Sequence, residues 1–347
     1  MLLNFARSRK PAELAFWSIF SFSSLAIFTL VLRSYHGISS SKVFSHAQEY
    51  GSREAVVTYL SRQFDAETNT TDDQDNYFVD ARLLAYQLLH APETKSRRPI
   101  PFVVLVTKDV KDSKRERLEE DGAIIVEIPT IDVHVDFGEP NWVDTYTKLF
   151  IFNPDYVPYE KVLYVDTDTV FTRPIDSIFD DPGTAPRKSL TDPDLVRNDE
   201  GEIPSSYIFA AVGETTDQQH TYPASDPLHE KSYFNSGFFV YSPSHLLLNH
   251  YLLILQDPDR FLDKMAPDQD LFNYAHRWKG AMPWSSIDFS WSILWPNEDD
   301  LKGGLAALHA KWWKKGEGIN RAVHEFCLGK RWEMQGYWTG RSKSGAN

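Results

Sequence analysis

The sequence holds a single cysteine, Cys327, among 347 residues. No intramolecular disulfide can form, and the cysteine count carries no information about the compartment. Positive charge is also scarce: 36 Lys and Arg face 49 Asp and Glu, for a formal net charge of −13. That deficit argues against nucleic acid as a partner, because such binding needs a basic face. It fits an acidic domain, or one that collects divalent cations. No internal repeat is evident. What is present is ample apolar material: 42% of the residues are hydrophobic and 14% aromatic, enough for one large domain or two ordinary ones.

Charge is missing altogether from residues 14–32, LAFWSIFSFSSLAIFTLVL, a run of 19 residues. As a helix this run is about 28 Å long, close to the thickness of a bilayer's hydrocarbon core. Arg7, Arg9 and Lys10 precede it, so the positive-inside rule predicts a cytosolic tail over residues 1–13 and an uncleaved signal anchor over 14–32. A cleaved signal peptide is the competing reading, but no clear A-x-A site follows. The Ser-rich residues 33–52 are expected to form a stem, with a folded domain over 53–340 and a short tail over 341–347. The single sequon, Asn69-Thr70-Thr71, agrees with a lumenal domain. The expectation is a single-pass type II protein of the Golgi membrane.

Within the folded domain, short apolar runs recur at 55–60, 102–107, 123–128, 161–166 and 236–241. Helix-like segments separate several of them: 78–90, the strongly charged 111–121, and 142–152, where Trp142, Val143, Tyr146, Leu149 and Phe150 share one helical face. Strands alternating with helices predict an α/β domain with a Rossmann-like, mainly parallel sheet and flanking helices. Residues 180–232, rich in Asp, Pro, Ser and Gly, predict a long excursion that includes a short strand at 208–212. Eight of the ten tryptophans lie between Trp278 and Trp338.

The stretch KVLYVDTDTVFT, residues 161–172, joins an apolar strand to two aspartates. Side chains two apart in a strand share a face, so Asp166 and Asp168 can converge. The carboxyl ends of such strands are where open α/β sheets bind ligands. Two adjacent carboxylates repel unless a cation lies between them. A hard ion such as Mn²⁺ or Mg²⁺ answers that need, and could hold a diphosphate. A solvated Asp-rich turn is the plain alternative. A third reading is a phosphatase of the haloacid dehalogenase type, with the first Asp as nucleophile and the second as general acid. That family has a downstream acidic motif, commonly Gly-Asp rich, and no Gly-Asp pair occurs in this chain.

Four segments in order carry a resemblance to a known family: residues 142–180 around the two aspartates, YFNSGFFVYSPS (233–244), DQDLFN (268–273) and HEFCLGKRW (324–332). Together they resemble glycosyltransferase family 8, which includes glycogenin, as a fungal-type membrane-anchored member. The likeness covers roughly residues 54–335. It implies a GT-A fold that binds a UDP-sugar through Mn²⁺ (or Mg²⁺) and transfers the sugar, with retention, to a glycan or glycoconjugate. It also implies the metal ligands Asp166, Asp168 and His324. Lys330 would hold the departing diphosphate, Lys148 would lie beside the donor, and Tyr77 would pack on the base. Asn235 and Gln269 would contact the sugar, with Asp268 near the reacting face. A homodimer is left open, as is a sugar-nucleotide-binding protein without turnover.

The sequence departs from the family pattern in places. Gly329 adjoins Lys330, Arg331 replaces a proline, and Met265 stands where the family is acidic, with Asp263 close by. Residues 61–76 add a polar loop. Plain structural roles compete as well: His324 as a core histidine, Lys148 as a solvated lysine on a helix back, Asn235 as a turn residue, and Asp268 as a helix cap.

Overall fold

The computed structural model describes residues 51–61, 71–131, 145–215, 218–224, 233–262, 266–314 and 318–344. They belong to one compact unit, Val43–Asn347. The apolar run at 14–32, Asn69, Trp142, Asp263 and Met265 lie outside the described residues. No described helix is long and apolar enough to cross a membrane.

The centre is a seven-stranded sheet. In chain order its strands are β1 (Glu54–Leu60), β2 (Phe102–Thr107), β3 (Ile124–Ile128), β4 (Lys161–Val165), β8 (Phe209–Gly213), β9 (Phe234–Tyr241) and β10 (Ser285–Ser286). Their spatial order is β10-β8-β9-β4-β1-β2-β3. Pairings of β1 with β2 and β4, of β2 with β3, and of β8 with β10 are parallel. Only β9 runs antiparallel to its neighbours β4 and β8. The sheet is therefore mainly parallel, as the alternation of strands and helices predicts. FVVLVT of β2 is buried at every position, the pattern of a central strand covered on both faces. By contrast IIVEI of β3 exposes Glu127, as an edge strand can.

Outside this sheet, β5 (Thr169–Phe171), β11 (Ser292–Leu294) and β12 (Ala307–His309) make a three-stranded sheet. A two-stranded ribbon joins β6 (Arg187–Lys188) to β7 (Ser206–Tyr207) within the long excursion.

Six helices complete the described fold: α1 (Asn76–Leu89), α2 (Asp112–Glu120), α3 (His245–Ile254), α4 (Pro267–Ala275), α5 (Glu298–Gly303) and α6 (Arg321–Ser344). Asp75 caps α1 by accepting from the Phe78 amide at 3.2 Å. Helix α1 buries eleven of its residues, and Arg82 on it makes a two-pronged ion pair with Asp121, just after α2, at 2.6 and 2.9 Å. Two expectations change. Residues Thr145–Phe152 form a 3-10 helix, not an amphipathic α-helix, and Tyr146 to Phe152 are all buried, Lys148 included. HEFCLGKRW lies in the interior of α6. With Arg331 in place of a proline, nothing in that stretch breaks the helix.

Candidate active site

Strand β4 ends at Val165 and β5 begins at Thr169, so Asp166-Thr167-Asp168 is a turn between two strands. The Thr169 amide closes it on the Asp166 carbonyl at 3.2 Å. The two carboxylates thus converge through a turn, not through the pleat of one strand as the spacing suggested. Strand β5 then pairs antiparallel with β12, placing Thr169 opposite His309. The Ala310 amide adds a bond to the Asp168 carbonyl at 3.1 Å. That register delivers a histidine to the two aspartates. Ligand atoms of Asp166, Asp168 and His309 all lie within 4.8 Å of one another.

The donor set fits a hard divalent cation: two carboxylates and an imidazole. His309 Nε2 stands 3.1 Å from Asp168 Oδ1 and 3.8 Å from Asp166 Oδ2. The buried Asp168 Oδ1 makes no further hydrogen bond. An orphaned carboxylate oxygen facing a histidine suits coordination better than a closed ion pair. Burial alone would push the Asp168 carboxyl up, but the adjacent His309 outweighs it and the pKa ends lower than usual. His309 mirrors this: burial would lower the imidazole, and the two aspartates raise it instead.

Gly237 in β9 is required by close approach. A Cβ there would meet His309 Cε1 at 2.3 Å and Asp166 Oδ2 at 2.7 Å. The Asp166 amide donates to the Gly237 carbonyl at 2.8 Å. The glycine of FNSG therefore lets β9 pass directly beneath the three-residue group.

Lys148 links this group to the start of α4. Its Nζ donates to Asp268 Oδ2 at 2.8 Å, to the Ser236 carbonyl at 2.7 Å and to Asp166 Oδ1 at 3.3 Å. The ring of Tyr164 lies 4.3 Å from the same ammonium, and the Tyr164 hydroxyl donates to Asp166 Oδ1 at 2.7 Å. Burial would lower the Lys148 pKa, but Asp166 and Asp268 hold it above its ordinary value. The lysine is buried inside the site, so the solvated alternative is set aside.

Asp268 does not cap α4. The cap position is Ala266, whose amide is held by Asp270 Oδ2 at 3.1 Å. Asp268 instead accepts from Lys148 and from Ser236 Oγ, the latter at 2.8 Å. Gln269 Oε1 accepts from Asn235 Nδ2 at 3.0 Å and from the Ser236 amide at 2.9 Å, while its Nε2 donates to Glu214 Oε1 at 2.9 Å. Those bonds fix the orientation of the amide. Asn273 clasps both backbone groups of Phe234 at 2.9 Å, which ties α4 to β9.

Two expected residues have other partners. His324 uses Nδ1 to bond the Trp312 carbonyl at 2.8 Å and is not in the Asp166–Asp168 group. Lys330 pairs with Glu333 at 2.9 Å on the same helix and lies 5.6 Å from the Phe326 ring. The physical reason is that α6 continues through both positions, so their spacing of six is helical spacing. Tyr77, in the first turn of α1, packs edge-on against Trp313 at 5.2 Å.

His309 and Glu214 were not legible as site residues from the motifs. A signal for the histidine existed: HAKWWKK (309–315) has the same His-to-Lys spacing of six as 324 to 330, directly after a short apolar strand. Glu214 has no motif of its own and enters only through its bond to Gln269.

Comparison with known proteins gives concordant findings. The model of "Glycosyl transferase family 8" matches residues 72–304. An uncharacterized protein of Schizosaccharomyces pombe is 32% identical over 272 residues, covering 71% of this chain and 70% of that protein. Galactinol synthase 1 of Solanum lycopersicum is 25% identical over 263 residues, covering 69% and 73%. Among solved structures, an active-site mutant of LgtC superposes with a TM-score of 0.49 at 14% identity, covering 82% of this chain and 95% of that one.

Proposed function

The chain belongs to glycosyltransferase family 8, and on that premise we propose that it moves a sugar from a UDP-linked donor to a hydroxyl of a glycan or glycoconjugate. We propose further that the donor is held through Mn²⁺ or Mg²⁺ and that the sugar keeps its anomeric configuration. The observation that carries the reading is the Asp166–Asp168–His309 group, joined through Lys148 to the Asp268–Gln269 pair. A divalent cation bound there would neutralise charge on the departing diphosphate. Family membership disfavours the phosphatase alternative.

The chain's own groups have distinct tasks in this reading. Asp166, Asp168 and His309 would hold the cation. Lys148 fixes Asp268 in place through its bond to Oδ2, so that the carboxyl group can orient the sugar. The Gln269 amide, locked by Asn235, Ser236 and Glu214, would face the anomeric carbon with a fixed dipole, ready to stabilise positive charge there. Amide nitrogen and oxygen are poor nucleophiles, which favours attack by the acceptor from the face the diphosphate leaves. The leaving phosphate can then take the acceptor's proton. Tyr77 would pack on the base. This reading assigns no role to His324, which bonds the Trp312 carbonyl, or to Lys330, which pairs with Glu333.

The test is UDP release from UDP-Glc, UDP-Gal, UDP-GlcNAc, UDP-GlcA and UDP-Xyl in the presence of Mn²⁺. At least one donor should release UDP, and chelation, Asp166→Asn and Asp168→Asn should each abolish the release. Donor binding without release from any of the five would instead identify a sugar-nucleotide-binding protein. Proton NMR of the new glycosidic bond checks the stereochemistry: a β-linked product from an α-linked donor would overturn retention.

A further inference from the structure

Trp295 combines three unusual features. Its backbone has φ of 65°, and it is the sole non-glycine residue in the left-handed region among the described residues. Side chains with a Cβ rarely adopt that conformation, and an aromatic ring gains nothing from it. It also precedes Pro296, a position that further restricts the backbone toward extended conformations. Strain of this kind persists only where the surroundings impose it, and it concentrates at functional sites.

The surroundings do impose it. On one side, Thr215 Oγ1 donates to the Leu294 carbonyl. On the other, Asn297 Nδ2 donates to the carbonyls of Gln218 and His220, both at 2.9 Å. Pro296 and Asn297 are buried, whereas Trp295 is 39% exposed. The chain is thus pinned before and after a large apolar side chain that remains open to solvent.

Position gives this exposure a meaning. Strand β11 pairs in parallel with β12, and Leu294 lies opposite His309. Trp295 is one residue beyond, at the end of the sheet where the Asp166–Asp168–His309 group sits. Thr215, which fixes Leu294, directly follows Glu214, the residue that holds Gln269. Trp295 is therefore next to a residue, Leu294, that is tied to both groups: to His309 by strand pairing, and to Gln269 by way of Thr215 and Glu214. Of the other exposed tryptophans among the described residues, Trp278 packs against Trp284 at 5.9 Å and Trp332 lies on α6.

We propose that Trp295 is an acceptor-binding residue, a platform on which the ring of a neutral saccharide or cyclic polyol acceptor rests. The indole face matches the C–H face of such a ring, and its rigid, half-open placement lowers the ordering cost of binding. The proposal rests on the glycosyl-transfer reading given above.

Two measurements test it on the full chain. The first is ¹⁹F NMR of protein labelled with 5-fluorotryptophan, with the Trp295 line assigned by its loss in Trp295→Phe. In UDP and Mn²⁺, titration with methyl α-mannoside, methyl β-galactoside or myo-inositol should shift that line, and glycerol, which has no ring, should not. The second is kinetic: Trp295→Ala should raise KM for the responsive acceptor at least tenfold, with a much smaller change in KM for the donor, and Trp295→Phe should restore most of the loss. No shift with any ring probe, an equal shift with glycerol, or an unchanged acceptor KM would overturn the proposal. Should the protein release no UDP from any donor, the transfer reading fails, and the NMR titration still decides whether Trp295 binds saccharide.

Discussion

At the scale of single residues, the cation group is a histidine chosen by pairing register. His309 is expected to be indispensable for cation binding and His324 not. Isothermal titration with Mn²⁺ should show His309→Ala losing at least a hundredfold in affinity, with His324→Ala within about twofold of the parent. The His309 imidazole must be neutral to bind a cation, and the two aspartates raise its pKa. A raised histidine pKa in the chelator-treated protein contributes stability that is fully present below the unfolded value of about 6.5 and is lost as pH rises through the folded value. Proton and cation therefore compete. Below the raised pKa, Mn²⁺ affinity should fall by up to about tenfold per pH unit, with one proton released on binding. An affinity flat in pH between 5.5 and 7.5 would contradict this assignment.

At the scale of elements, α1 is held from two sides by one side chain. Arg82 forms the buried two-pronged pair with Asp121 beyond α2, and its guanidinium lies 5.7 Å from the Trp338 ring on α6. Asp121 has its carboxyl pushed up by burial, with Arg82 opposing. Removing the arginine leaves that carboxylate buried and unpaired, which costs about 3–5 kcal/mol. Arg82→Met should lower the urea midpoint accordingly. A double variant, Arg82→Met with Asp121→Leu, should recover much of the loss. No recovery would mean that Arg82 acts through its packing on α6 alone.

At the scale of the whole molecule, acid sensitivity has an identifiable source. His276, at the end of α4, is fully buried between the Tyr251 hydroxyl at 2.6 Å and the Met282 carbonyl at 2.7 Å. Burial pushes its pKa down to about 3. Here the folded value lies below the unfolded value, so the unfolded chain binds the proton first. Stability is therefore lost as pH falls from about 6.5 toward about 3, at up to about 1.4 kcal/mol per pH unit. Urea midpoints at pH 7, 6, 5 and 4 should show this slope, and His276→Gln should flatten it, whatever its stability at pH 7. An identical slope in the variant would assign the acid sensitivity to carboxylates instead.

What the sequence determined by itself is the part written in local patterns. Runs such as FVVLVT, short, rich in β-branched residues and apolar almost throughout, suit strands covered on both faces, and their alternation with helices points to a mainly parallel sheet. Asp166 and Asp168 were visible because a pair of carboxylates after an apolar strand is a local feature, and DQDLFN was visible for the same reason. The tertiary structure alone decided which histidine joins them. His309 and Asp168 are far apart in sequence and meet through antiparallel pairing of β5 with β12, a non-local register; the His-to-Lys spacing of six marks His309 and His324 alike and cannot choose between them. His324 kept the expected distance to Lys330, but in a continuous helix that distance separates residues by nearly two turns, and His324 bonds the Trp312 carbonyl without joining the cation group. Lys148 had two readings, beside the donor by the family likeness or solvated on the back of a supposed amphipathic helix. Burial by β9 and α4 turned it into the link between the two halves of the site, since an ammonium without water must find its carboxylates wherever the fold brings them.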